Sequence, residues 1–203
     1  MTSLWDERFA GEEFLFGTEP ADFLRREARR IAVGARVLSV ADGEGRNSVF
    51  LGRQGAFVTA MDSSVVALEK ARRFAAREGV DVDFRHSDIA DWHWEEAAFD
   101  AVLAVFIQFA PPALRDKIFA GIARTLRPGG LLLLHGYAPR QVGYGTGGPG
   151  KEENLYTLPM LREAFAGFEV LNAADYDADI SEGRGHSGRS ALIDFVALKP
   201  GQS

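Results

Sequence analysis

The strongest constraint on this chain is a series of short, unbroken apolar runs separated by stretches of helical composition. Arg36 to Val40 is the first run and ends in Ala41-Asp42-Gly43-Glu44-Gly45. A helical segment follows from Arg46 to Gln54 and closes at Gly55. Phe57 to Met61 is the second run, ending at Asp62. Ser63 or Ser64 then caps a helix to about Glu78, with Gly79 as its stop. Val82 to His86 and Phe99 to Phe106 are the third and fourth runs. Pro111 and Pro112 open a helix to Leu126, Pro128-Gly129-Gly130 ends it in a turn, and Leu131 to Gly136 is the fifth run. Strands buried on both faces read as continuous apolar runs, and their alternation with helices requires a parallel sheet covered on both sides. Leu158 to Phe165 reads as a short helix. Phe168 to Leu171 and Ala191 to Leu198 read as two closing strands in a hairpin. The expected fold is therefore α/β: a doubly wound, mostly parallel seven-stranded sheet with a C-terminal antiparallel hairpin, in one domain over residues 1–203.

Two segments fall outside this pattern. Residues 1–19 carry Trp5, Phe9, Phe14 and Phe16 and form a candidate lid. Residues 138–156 include Gly143-Tyr144-Gly145-Thr146-Gly147-Gly148-Pro149-Gly150, too rich in glycine for a strand or helix. They are expected to form a mobile loop over the strand ends, where open α/β sheets bind ligands.

The 203 residues contain no cysteine. This excludes disulfides, a thiol nucleophile, zinc–cysteine sites and iron–sulfur clusters, and no metal site is expected. The chemistry must rest on backbone groups, carboxylates, arginines and four histidines. A net charge of −6 argues against a nucleic-acid partner. Arg25, Arg26, Arg29 and Arg30 cluster at helical spacing and read as a solvated helix face. The start of the chain lacks the pattern of a secretory signal. The longest apolar run, Leu131 to Leu134, is far short of the ~20 residues of a membrane span. A soluble, cytoplasmic protein with a small-molecule partner and no membrane contact is expected; no sequence feature declares an oligomeric surface.

The loop Ala41-Asp42-Gly43-Glu44-Gly45 sits between a strand and a helix. Its small residues permit close backbone approach, and the helix start offers unpaired N–H groups to a carboxylate or other anion. Asp62 ends the next strand about 20 residues on, where a carboxylate accepts hydrogen bonds from ribose hydroxyls. Together they describe an adenosine-type ligand. A pyrophosphate cradle is not specified: Ser48 stands where Gly-x-Gly-x-x-Gly needs its third glycine, and no P-loop pattern occurs.

These residues resemble the class I S-adenosylmethionine-dependent methyltransferases. Arg36 to Asn47 looks like that family's first motif, Asp62 like its ribose-binding acid, and Ser87-Asp88-Ile89-Ala90-Asp91 like its adenine-side motif. Phe99-Asp100-Ala101-Val102 resembles its fourth strand, and Leu126-Arg127-Pro128-Gly129-Gly130 the turn before its fifth. Trp5-Asp6-Glu7-Arg8-Phe9, Phe16-Gly17-Thr18-Glu19-Pro20 and Gly185-His186-Ser187-Gly188 are similar to the tellurite-resistance and thiopurine-type branch. The sequence departs from the first motif at Ser39, usually an acid, and at Ala41, usually glycine; Asp42 and Glu44 are the nearby acids that could replace the first. The resemblance implies S-adenosylmethionine as cofactor. Backbone groups of Ala41, Asp42, Gly43 and Gly45 would hold its methionine end, and Asp62 with Ser63 its ribose. Asp88 and Ile89 would flank adenine, Val105 and Phe106 would line the sulfonium side, and Trp5 and Phe16 would close the site.

The implied reaction is methyl transfer to a small-molecule acceptor, with a thiol or a selenium or tellurium oxyanion as the expected soft nucleophile. His186 is the candidate base or acceptor contact, from a polar and flexible segment. Arg140 and Arg189 are candidates for binding an anionic acceptor. His135, inside the fifth run, reads as a core histidine, and Trp92 and Trp94 as parts of a packed loop. The alternatives are an NAD-dependent oxidoreductase on a similar sheet and a non-catalytic S-adenosylmethionine-binding module.

Overall fold

A computed structural model of the protein describes residues 4–201; the first three residues of the expected lid lie outside them. One sheet contains β1 (Arg36–Val40), β2 (Phe57–Asp62), β3 (Val82–His86), β4 (Phe99–Val105), β5 (Leu126–Tyr137), β6 (Glu169–Ser181) and β7 (Ser187–Leu198). The strand order is β3-β2-β1-β4-β5-β7-β6. Strands β1 to β5 run parallel, and β7 is antiparallel to both β5 and β6. The chain progresses outward in opposite directions from β1 and β4. Connections diverge there, which opens a crevice at the carboxyl ends of the two central strands.

The helices are α1 (Leu4–Phe9), α2 (Asp22–Glu27), α3 (Arg46–Arg53), α4 (Val65–Glu78), α5 (Pro112–Thr125) and α6 (Leu158–Ala164). Alternate strand residues point to opposite faces. Leu38, Val40, Val102, Leu132 and Leu134 pack with Ile118, Phe119 and Ile122 of α5 and Leu161 of α6. Val37, Leu103 and Leu133 pack on the other side with Phe23 and Leu24 of α2 and Leu51 of α3. Both faces are covered, so both sets of alternate residues are mainly apolar. The caps follow the sequence: the Ser64 hydroxyl accepts from the Ala67 N–H, and Gly79 ends α4 at φ +67°.

The structure corrects the boundaries at three places. Leu126 already pairs with Phe99 and Leu131 with Ala101, so residues 127–130 bulge from within β5 at Gly129, φ +73°. The expected turn therefore interrupts a strand rather than preceding one. Strands β6 and β7 are longer than the apolar runs that announced them, because residues 172–181 are only half-buried and need no apolar run. Residues 1–19 contain a helix, α1, where none was expected.

The segment after α1 is held down by buried charge. Lys70 of α4 lies 2.5 Å from the Glu44 carboxylate, with their side chains 6% and 2% exposed. The same ammonium donates to the carbonyls of Phe9, Gly11 and Glu13, while Glu44 accepts from the Leu15 N–H at 2.7 Å. Removing one partner of such a pair leaves an uncompensated buried charge. Lys70→Met is expected to cost about 3–5 kcal/mol in urea denaturation. It should also speed proteolysis within residues 9–15. Loss of stability without new cleavage there would show that the lysine does not anchor this segment.

Candidate functional site

A cavity of about 400 Å³ opens at the carboxyl ends of β1 and β4, a size within the usual range for small-molecule sites. Its walls include Trp5, Phe16, Ala41, Asp42, Gly43, Asp62, Ser63, Val105, Phe106 and His186. Ten of the fifteen residues singled out from sequence thus surround one space, contributed by five separate stretches of chain.

Asp62 ends β2 and is 7% exposed. One of its oxygens accepts from the Gly43 N–H and the other from the Ser64 N–H, each at 2.8 Å. Each carboxylate oxygen retains a lone pair, and the side chain borders the cavity, so two further donors can be received. Burial pushes its carboxyl above the ordinary range, opposed by those N–H donors and reinforced by Asp42 nearby. Gly43 has φ +63°, conformational space that a side chain rarely adopts. Ala41 at φ +48° and Phe106 at φ +56° end β1 and β4 in the same left-handed region despite their side chains. Such strained positions concentrate at functional sites.

Ser39, where the resembled motif usually carries an acid, is itself bonded to one. The Ser39 hydroxyl donates to Asp42 at 2.6 Å, and the Ser48 hydroxyl donates to its other oxygen. Burial raises the Asp42 carboxyl, and the two serine hydrogen bonds oppose the shift. Asp42 is therefore the acid of this loop that faces the cavity, while Glu44 is engaged with Lys70 and Leu15.

Aromatic rings line the site. Trp5 stacks on Phe9 at 5.7 Å, and Phe9 meets Phe16 edge-on at 6.0 Å. His186 lies 4.4 Å from Phe16 and 4.1 Å from Phe106. Residues 182–186 form the β6–β7 turn, the Glu182 N–H donates to the His186 carbonyl at 2.8 Å, and the imidazole is 8% exposed. Burial, followed by Arg46, His135 and Arg8, holds it well below the ordinary histidine value.

Five expected residues do not line the cavity. Gly45 caps α3 at φ +89°, and a Cβ there would lie 2.9 Å from that of Ala71; it lets α3 approach α4. Asp88 accepts from the Ala90 N–H at 2.9 Å and closes a turn, and Ile89 is buried in the core beside α5. Arg140 pairs with Asp175 and Asp177, and Arg189 with Asp177 and Asp179. Asp175, Asp177 and Asp179 recur every second residue along β6 and share one face, so the two arginines neutralise a carboxylate row instead of facing an acceptor. His135 is the core histidine expected: it is 2.7 Å from Asp194 and stacked 4.9 Å from Phe23.

Sequence reasoning missed Arg8, Arg46, Asn47, Gln108, Tyr137, Lys151 and Asn154, all in the cavity wall. Arg46 and Asn47 directly follow the glycine loop, and Tyr137 directly follows the fifth run, so position alone marked these three. The others reach the site only through tertiary folding. Gly148, Pro149 and Gly150 also line it, so the glycine-rich stretch does lie over the strand ends.

Comparison with known proteins agrees with this geometry. Residues 37–130 match the family described as a methyltransferase domain. A ubiquinone biosynthesis O-methyltransferase of Xanthomonas axonopodis pv. citri is 32% identical over 136 residues, covering 66% of this chain and 56% of that protein. The chain spans about half the length of the curated relatives it matches. A solved structure described as "Conversion of a Disulfide Bond into a Thioacetal Group during Echinomycin Biosynthesis" superposes with TM-score 0.81 at 17% identity, over 100% of this chain and 94% of that one. TehB from Haemophilus influenzae gives 0.69 at 17% identity, over 88% and 61%. At such identities the structures speak for the fold. No helix among the described residues is long and apolar enough to cross a membrane. The matched segment carries the loop and the acid that shape the cavity, and the whole sheet shares the fold of the solved structures: residues 37–130 are similar to the methyltransferase-domain family, as the resemblance to the class I S-adenosylmethionine-dependent methyltransferases implied.

Proposed function

We propose that this domain transfers the methyl group of S-adenosylmethionine to a small-molecule acceptor. The observation that carries the reading is Asp62: a buried carboxylate fixed by two backbone N–H groups, beside a left-handed glycine, on the wall of a cavity of suitable size. Asp62 would accept from the ribose hydroxyls, with Ser63 beside it. The backbone of Ala41, Asp42 and Gly43, with the Asp42 carboxylate, would hold the amino-acid end.

S-adenosylmethionine supplies a methyl group on a positively charged sulfur, already a good leaving group. The protein's task is then alignment of acceptor and methyl carbon, for which orientation accounts for ~7–11 kcal/mol in favourable systems. Phe16, Phe106 and Tyr137 place aromatic faces around the end of β4, which favours a cation and excludes water. Trp5 and Phe9 cover the opening.

The acceptor is proposed to be a soft nucleophile. Of the two expected kinds, the thiol is better supported than a selenium or tellurium oxyanion, because Arg140 and Arg189 are engaged with β6 carboxylates. The curated relative named above is a ubiquinone biosynthesis O-methyltransferase, which adds a hydroxyl to the acceptors worth testing.

Calorimetry with S-adenosylhomocysteine, and NAD as control, tests the cofactor assignment. Micromolar or tighter binding of the first alone is expected; binding of NAD alone would replace this reading with the oxidoreductase one. Asp62→Asn replaces an ionised acceptor with an amide that offers one oxygen. Loss of charge-assisted hydrogen bonds worth ~1.5–3 kcal/mol predicts affinity weaker by roughly tenfold to a hundredfold. Unchanged affinity would remove the ribose contact.

The same carboxylate makes binding pH-dependent. Burial holds the Asp62 carboxyl above its ordinary value. It therefore takes up a proton at a pH where an exposed aspartate, at about 3.9, remains ionised. S-adenosylhomocysteine affinity is expected to be complete near neutrality and to fall as pH drops through that raised value, with circular dichroism confirming a folded chain throughout. The Asp62→Asn variant should lose this dependence. An identical pH profile in both proteins would assign the effect to another group.

A further inference from the structure

Three polar atoms of the cavity wall are buried without a hydrogen-bond partner among the described residues: the Tyr137 hydroxyl, His186 Nδ1 and Asn154 Oδ1. Their residues are 1%, 8% and 3% exposed. Leaving a buried polar group unpaired is unfavourable. Two of the three, on Tyr137 and His186, belong to neighbouring rings and mark where polar groups of a ligand belong.

The rings form a compact unit. Tyr137 and His186 meet edge-on with centroids 5.7 Å apart, and Phe106 contacts them at 4.7 and 4.1 Å. The tyrosine is fixed from two sides. Gln108 donates to its backbone carbonyl at 2.7 Å and accepts from its N–H at 2.6 Å, which occupies both ends of the amide. The glycine-rich loop lies against the ring: a Cβ at Gly147 would fall 2.9 Å from the hydroxyl, and one at Gly148 2.9 Å from the ring carbon Cδ2. Loop glycines thus permit the tyrosine to stand where it does.

The charged and titratable groups facing this pair are Arg8 of α1, Arg46 of α3, His135 of β5 and Glu182 of the β6–β7 turn. Arg46 is paired with Glu182 at 2.8 Å, and Arg8 lies over the Trp5 ring at 4.6 Å. Burial and these cations hold the imidazole well below its ordinary value, while burial and Glu182 hold the phenol above its own. At neutral pH both are uncharged, so the pair offers one O–H donor and one nitrogen acceptor.

We propose that Tyr137 and His186 bind the acceptor as an uncharged X–H nucleophile, a thiol or a hydroxyl, with Tyr137 orienting X and His186 receiving its proton. This rests on the methyl-transfer reading above. As the X–C bond forms, the C–S bond breaks and its electron pair stays on sulfur, giving the neutral thioether. The X–H proton passes to Nδ1 of His186, with the other ring nitrogen carrying the imidazole's own proton, and is then released to solvent. Tyr137 donates to X throughout and opposes the build-up of negative charge.

The test uses two probe thiols at about pH 7.5: benzyl mercaptan, which is then mostly protonated, and 4-nitrothiophenol, which is then mostly thiolate; catechol serves as the hydroxyl probe. General-base removal typically costs ~10²–10⁴-fold. His186→Gln is expected to lower transfer to benzyl mercaptan by about a hundredfold or more, and to 4-nitrothiophenol by no more than a few-fold. Tyr137→Phe should raise KM for the thiols more than it lowers kcat. Both variants should keep S-adenosylhomocysteine affinity within about twofold, which also shows that they fold. Equal losses on the two thiols, or none, overturn the proposal. So does a wild-type protein that binds S-adenosylhomocysteine yet methylates neither thiol nor catechol. Absence of S-adenosylhomocysteine binding in the wild type would instead overturn the cofactor reading on which the proposal stands.

Discussion

The loop after β1 and the start of α4 are joined through one side chain. The Asp62 carboxylate accepts from Gly43 on one side and Ser64 on the other, so the two crossovers that border the crevice share a buried anchor. The anchor works because both donors belong to backbone that has no helix or strand partner of its own. Gly43 lies in a left-handed turn, and Ser64 caps a helix. A buried carboxylate held in this way is costly to desolvate, and its raised proton affinity records that cost. The arrangement leaves lone pairs free at the cavity wall, as the proposed ribose contact needs.

Buried charges are also arranged so that the cover of the site is attached to its floor. Glu44 and Arg46 flank the glycine at which α3 begins. Glu44 pairs with Lys70 and receives the Leu15 N–H, while Arg46 pairs with Glu182 and donates to the Phe16 carbonyl. Glu182 in turn accepts from the Asp22 N–H, and Asn47 accepts from Ala21. Five side chains from the glycine loop, α3, α4 and the last hairpin thus hold residues 9–22 over the cavity. Each partner is desolvated, so none can be withdrawn without exposing an unpaired charge or donor to a poor solvent. The covering segment is for this reason part of the fold and not an appendage.

The sheet was legible in the sequence because its strands are buried on both faces. Leu131 to Leu134 must be apolar at every position, since odd and even residues meet different helix layers. Strands β6 and β7 escaped for the complementary reason. Asp175, Asp177 and Asp179 are tolerable on a strand only because Arg140, Arg189 and Tyr144 arrive from elsewhere to neutralise them. Read without those partners, the acids look like loop and the arginines look free. His186 was singled out from a polar stretch with no core pattern, yet a tight turn and three aromatic rings bury it at the cavity wall.

By itself, the sequence determined the layer architecture and the positions of the glycine loop and of Asp62. These follow from local patterning: apolar period, turn chemistry and spacing between strand ends. It also limited the available chemistry, since a chain without cysteine must work with carboxylates, imidazoles and phenols. Only the tertiary structure decided which polar groups remain unpaired. Arg140 and Arg189 are bound to carboxylates up to 37 residues away, Glu44 is bound to Lys70, and Ser39 to Asp42. Tyr137 and His186 are left open at the cavity wall. Whether a polar side chain is satisfied depends on which groups the fold brings within about 3 Å of it, and no pattern along a single chain records that distance.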